Sequence, residues 1–157
     1  MTLRERDDGG VIPLDSLAFG YGPMLPFVAA VAGAWMLDAP WPGIAIVLAI
    51  IWGALVLSFV AGVRRGYGFG NRVASTWAEI LSMIAYFVPA GLSLVLVSFA
   101  HVTPALWMLI IGFALVILLD RRAARAGDAP AYFSRLRLPQ MSIAILSLMA
   151  LLIRLAD

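Results

Sequence analysis

Chemistry in this chain has to come from the few ionisable side chains that interrupt its apolar runs. Glu79 is the only carboxylate that reads as clearly inside an apolar segment, close to its start at Trp77, with Thr76 nearby and Arg64, Arg65 and Arg72 upstream. A carboxylate held in lipid near guanidinium groups has the composition of an ion relay, because a charge at that depth is retained only with a partner or a pathway. The arginines of the same group are equally suited to an anion or a lipid headgroup. A structural role competes with both. Thr76-Trp77-Ala78-Glu79 has the T-x-x-E spacing of a capping box, in which hydroxyl and carboxylate satisfy free backbone donors at a helix start. An acid in the first turn also suits the positive end of the helix dipole. The cap is the favoured expectation for Glu79.

Two further polar groups lie deep in apolar sequence. The indole N–H of Trp52 has no water at mid-depth and must find a carbonyl, a hydroxyl or a ligand. Tyr86 precedes Pro89 by three residues, and the expectation is a bond to a carbonyl that the proline leaves free. His101, between two apolar runs, reads as an exposed loop residue.

Several chemistries are excluded by residue type. The chain has no cysteine and one histidine, so neither a thiolate site nor a multi-histidine metal site can form. All eleven basic residues are arginine, which removes Schiff-base catalysis by lysine. No H-E-x-x-H, P-loop, G-x-S-x-G or dinucleotide fingerprint occurs. No catalytic residue, cofactor or metal is therefore expected. Nor is a nucleic-acid partner, since the arginines read as topology signals and contacts to anionic lipid.

The elements that must position these groups are membrane helices. With 63% hydrophobic and 13% charged residues, the chain cannot cover a soluble globule with polar surface. Crossing the hydrocarbon takes about 20 apolar residues. Five stretches approach that length: Leu17 to Leu37, Pro42 to Val63, Trp77 to Phe99, Pro104 to Leu119 and Leu138 to Leu155. The fourth run ends in Asp120-Arg121-Arg122 and can continue as helix until Gly127. Pro42 and Pro104 each follow a very short connection, where a new helix starts without losing a hydrogen bond. Small residues at Gly20, Gly22, Gly53, Gly62, Ala90 and Gly91 point to close helix packing.

Charge gives the orientation. Arg4, Arg6, Arg64, Arg65, Arg72, Arg121, Arg122, Arg125, Arg135 and Arg137 fall on one face, and only Arg154 falls on the other. The positive-inside rule places the crowded face in the cytoplasm, with the N-terminus inside and, after five crossings, the C-terminus in the periplasm. Trp35, Trp41, Phe99 and Trp107 then form an outer aromatic belt, and Phe19, Tyr21, Tyr67, Trp77 and Tyr132 an inner one. The expected fold is an all-α membrane protein, one five-transmembrane-helix bundle.

The segments LAFGYGPMLP (Leu17 to Pro26), LSFVAGVRRG (Leu57 to Gly66) and above all LDRRAARAGDAPAYFSRLRL (Leu119 to Leu138) resemble a family of short bacterial membrane proteins of unknown function, itself related to a small mitochondrial transmembrane protein. That resemblance implies five spans and a bacterial inner membrane, and no activity for particular residues. The expected function is that of a non-catalytic accessory or assembly partner of a larger membrane complex. Contacts from Arg121, Arg122 and Arg125 at the inner surface would join those to anionic lipid and other membrane proteins. A small carrier or channel is the alternative, and a lipid-acting enzyme ranks third because no nucleophile or metal site is visible.

Overall fold

The computed structural model describes residues 20–67, 77–126 and 131–157. All regular structure among them is helical: a 3-10 turn, Gly22–Met24, and five α-helices, α1 (Leu25–Met36), α2 (Trp41–Tyr67), α3 (Trp77–Ser98), α4 (Val102–Ala126) and α5 (Ala131–Ala156). Four of these, α2 to α5, are long and apolar enough to cross a membrane.

The first helical segment changes pitch part-way: Gly20 and Tyr21 are helical, Gly22–Met24 is a 3-10 turn and Leu25–Met36 is α-helical, while residues 17–19, where the first span is expected to open, lie outside the described residues. Pro23 and Pro26 are the cause. Neither has an N–H to donate, so each fits only the opening turn of a helix, and Pro23 opens the 3-10 turn while Pro26 sits in the first turn of α1. Twelve residues of α-helix give α1 a length of about 18 Å, against about 40 Å for the 27 residues of α2. The other helices extend past their apolar runs. α2 continues through Arg64 and Arg65, α4 through Asp120 to Ala126, and α5 starts seven residues before Leu138, because arginine and alanine favour helix wherever headgroups can solvate the charge.

Each helix packs on the next in chain order and α5 returns against α1, so the five close into a ring, with α2 also touching α4 across its middle. The interior is filled by Phe27, Ile50, Leu57, Tyr86, Leu109 and Phe113, all fully buried, and the Phe27 and Phe113 rings meet edge to face at 5.8 Å. Close approach depends on particular glycines. A Cβ on Gly53 would stand 2.8 Å from Leu109 Cδ1, and one on Gly112 would strike Leu57 and come within 3.2 Å of the Pro89 ring. Gly22, Gly62 and Gly91, also expected at tight contacts, face open space instead. Large apolar side chains point outward from the ring, among them Leu48, Phe59, Leu81, Phe87, Leu118 and Leu146. Such a continuous apolar exterior has lipid as its natural solvent.

At one end of the ring, Trp35, Trp41, Phe99 and Trp107 are exposed together with the His101 loop. Arg154 ties α5 to the short α1 there: its Nε donates to the Ala34 carbonyl at 3.0 Å, and its guanidinium stands 5.9 Å from the Trp35 ring centre. The carbonyl is one of the last in α1, where the helix dipole is negative. The α3–α4 turn ends α3 with bonds from His101 N to Leu96 O (2.8 Å) and from Ala100 N to Val97 O (3.0 Å), the pairing of a Schellman motif. Ala100 takes the left-handed position at φ 61°, which normally belongs to glycine. Ala100→Gly is therefore expected to raise stability by about 1 kcal/mol, read as a higher unfolding midpoint in detergent.

Candidate functional site

The opposite, arginine-rich end of the ring contains a buried polar cluster built from four helices. Tyr86 on α3 is fully buried and donates its hydroxyl to Asp120 Oδ1 on α4 at 3.0 Å. Asp120 Oδ2 lies 3.7 Å from Arg137 Nε on α5, and both side chains are only 12% exposed. Arg64, one turn before the end of α2, is 7% exposed, and its Nε is buried without a hydrogen bond. The charges of Arg64, Arg137 and Asp120 all act on the Tyr86 hydroxyl, which places the four groups in one electrostatic neighbourhood. Two more buried polar residues border it, Ser82 one turn from Tyr86 and Gln140 one turn from Arg137. Gln140 lies against Gly20, where any side chain would displace its amide.

The local sequence explains the convergence. Helical side chains tilt toward their own N-terminus, so Tyr86 on α3 leans toward the arginine-rich end while Asp120 on the antiparallel α4 leans away from it, and the two meet. Asp120 continues the buried stripe Leu106, Leu109, Phe113 and Val116 at helical spacing. Chemically the cluster, among the described residues, is a carboxylate engaged on both oxygens together with a second guanidinium, Arg64, whose buried Nε makes no hydrogen bond. No group of three or more His, Cys, Asp or Glu side chains able to hold a metal occurs among the described residues.

Residues 12–153 match a family described as protein of unknown function, DUF3429. The chain belongs to the DUF3429 family. No curated protein and no solved structure matches it. The match covers nearly the whole ring, from before the 3-10 turn to the last turn of α5, so the cluster of this DUF3429 protein lies within the matched region.

The residues singled out from sequence separate into groups. Arg64 joins the cluster, and Arg65 follows it half-buried with interactions of its own. Arg72 and Thr76 lie outside the described residues, as does the Thr76 half of the capping box. Glu79 sits half-buried in the first turn of α3 with a partner. Arg121 and Arg122 are exposed on α4 directly after Asp120, and the Arg125 side chain is outside the described set. Trp52 Nε1 donates to the Pro23 carbonyl at 2.8 Å, so the indole reads the 3-10 turn where α1 begins.

Two expectations are corrected. Tyr86 bonds Asp120 on another helix and not a carbonyl near Pro89, because a phenol is long enough to reach across the ring while the proline packs toward Gly112. Glu79 is not the one carboxylate inside the apolar helices: Asp120 is buried and lies within a span-length helix. Asp120 and Arg137 were hidden in sequence because each stands where an apolar run gives way to arginines, the usual mark of a loop. The available signal was the continuation of the α4 periodicity through Val116 to Asp120.

Proposed function

We propose that this DUF3429 protein is a non-catalytic, multi-pass protein of a bacterial inner membrane that serves as an accessory or assembly partner within a larger membrane complex. In this reading the chain crosses five times, with its arginine-rich end in the cytoplasm and its C-terminus in the periplasm. The observation that carries the proposal is how the polar interior is used. Tyr86, Asp120 and Arg137 bind one another across α3, α4 and α5, and aromatic and aliphatic side chains fill the rest of the ring. A bundle whose inner polar groups hold its own helices together has its outer faces left for association. Lipid is as apolar as leucine, so close packing and a charged rim, here Arg121 and Arg122, must direct such contacts.

A small carrier for an anion is the second reading, favoured by the buried Nε of Arg64 that makes no hydrogen bond. Gentle extraction with crosslinking separates the two. Recovery in a defined heteromeric assembly is expected, weakened by charge reversal at Arg121, Arg122 and Arg125 more than by an apolar exchange at Leu146. A reporter at the C-terminus, checked in each variant, should remain periplasmic. A chain recovered alone that takes up a specific solute in vesicles decides for the carrier.

A further inference from the structure

Among the described residues, the buried cluster contains two guanidinium groups and one carboxylate, and Arg64 is the guanidinium whose buried Nε that carboxylate does not reach. Arg137 is the other guanidinium and Asp120 the carboxylate, whose oxygens are engaged by Tyr86 and Arg137. The Tyr86 hydrogen is spent on Asp120, so that hydroxyl cannot neutralise anything further. Arg64 is left 7% exposed with a buried Nε that makes no hydrogen bond. A guanidinium group cannot shed its proton to escape this, as a lysine or a carboxylate can. The half-charge at the carboxyl end of α2 does not compensate it either, because Arg65 stands in the same last turn.

Position and shape identify what completes the site. Arg64 lies one turn from the end of α2, at the end of the ring where Arg121 and Arg122 are exposed, so an anion can arrive from the headgroup level without crossing the apolar interior. The planar fork of arginine matches the paired oxygens of a phosphate, and phosphate is the anion present at that level in every phospholipid membrane. We propose that Arg64 anchors a phosphate-binding site at the arginine-rich end of the bundle, occupied by the phosphate of an anionic lipid headgroup or by free phosphate. This site stands whether or not the protein has a protein partner.

The test uses the full chain in mild detergent after removal of bound lipid. Its thermal midpoint is followed during titration with short-chain phosphatidylglycerol, and separately with inorganic phosphate against chloride at matched ionic strength. A saturable rise is expected with at least one probe and none with chloride. Lipid alone being effective assigns the headgroup, and inorganic phosphate being effective assigns the free anion. Arg64→Gln should weaken the apparent affinity by about tenfold, the loss of one charge-assisted pair, whereas Arg121→Gln with Arg122→Gln, both exposed, should change it by less than about threefold. Where Arg64→Gln does not fold, Arg64→Lys keeps the charge without the fork and should still weaken binding severalfold. Absence of a saturable rise with both probes overturns the proposal, as does an affinity unchanged in the Arg64 variants.

Discussion

Asp120→Ala is expected to lower the stability of the folded bundle by about 3 to 5 kcal/mol, the usual cost of removing one member of a buried ion pair. The size follows from what stays behind. Tyr86 loses the acceptor of a 3.0 Å bond in a fully buried site, and Arg64 and Arg137 are left without the carboxylate that both charges act around. The neighbouring substitutions should be milder, in a definite order. Asp120→Asn keeps an acceptor for Tyr86 and loses only the charge. Arg137→Gln leaves Arg64 as a second cation near Asp120, so its cost is expected to be smaller than that of Asp120→Ala. Tyr86→Phe deletes one hydrogen bond, worth about 0.6 to 1.5 kcal/mol inside a membrane protein. The pair Asp120→Asn with Arg137→Gln should cost less than the sum of its parts. Reversible unfolding in mixed micelles measures all five. A loss under about 1 kcal/mol for Asp120→Ala would show that the pair is solvated and not structural.

The same cluster marks where sequence was informative and where it was not. Apolar length, with Pro42 and Pro104 at the short turns, located α2 to α4 closely and α5 in its apolar part, because both are properties of the local chain. Pro23 and Pro26 mark an interruption of the first segment, where their missing donors yield a 3-10 turn before a short α-helix, and the expected start at Leu17 lies outside the described residues. Trp52 announced that it needed a partner, and the partner was a carbonyl of that same turn. Arg64 was visible as a polar group at a helix end. Asp120 and Arg137 were not, since arginines around them mimic a solvated loop and only the ring's closure, α5 against α1 and α4, buries them. Pairing across helices is a tertiary fact, and Tyr86 has no local feature that distinguishes a carbonyl in its own helix from a carboxylate on the next.

Glycine substitutions are expected to divide by sign, which local sequence cannot anticipate either. Gly112→Ala should destabilise by about 1 to 3 kcal/mol. Its new methyl would meet the end of Leu57, itself fully buried and unable to swing aside, and would stand 3.2 Å from the rigid ring of Pro89. α2, α3 and α4 converge at that point, so relief requires moving a helix and not a rotamer. Gly91→Ala should do the opposite. Nothing lies within 4 Å of its added methyl, and a mid-helix alanine is favoured over glycine by about 0.5 to 1 kcal/mol through reduced backbone freedom in the unfolded chain. Gly62→Ala on α2 belongs with Gly91, since its surroundings are equally open. Unfolding midpoints for the three variants, with Leu57→Ala added to the Gly112 variant to vacate the clash, provide the measurement. Partial recovery in that double variant is expected, because truncating Leu57 opens the space the methyl needs while creating a cavity elsewhere. Three equal effects, or a stabilising Gly112→Ala, would mean that the helices do not approach one another through Gly112 and that the α2–α4 contact is looser than this packing requires.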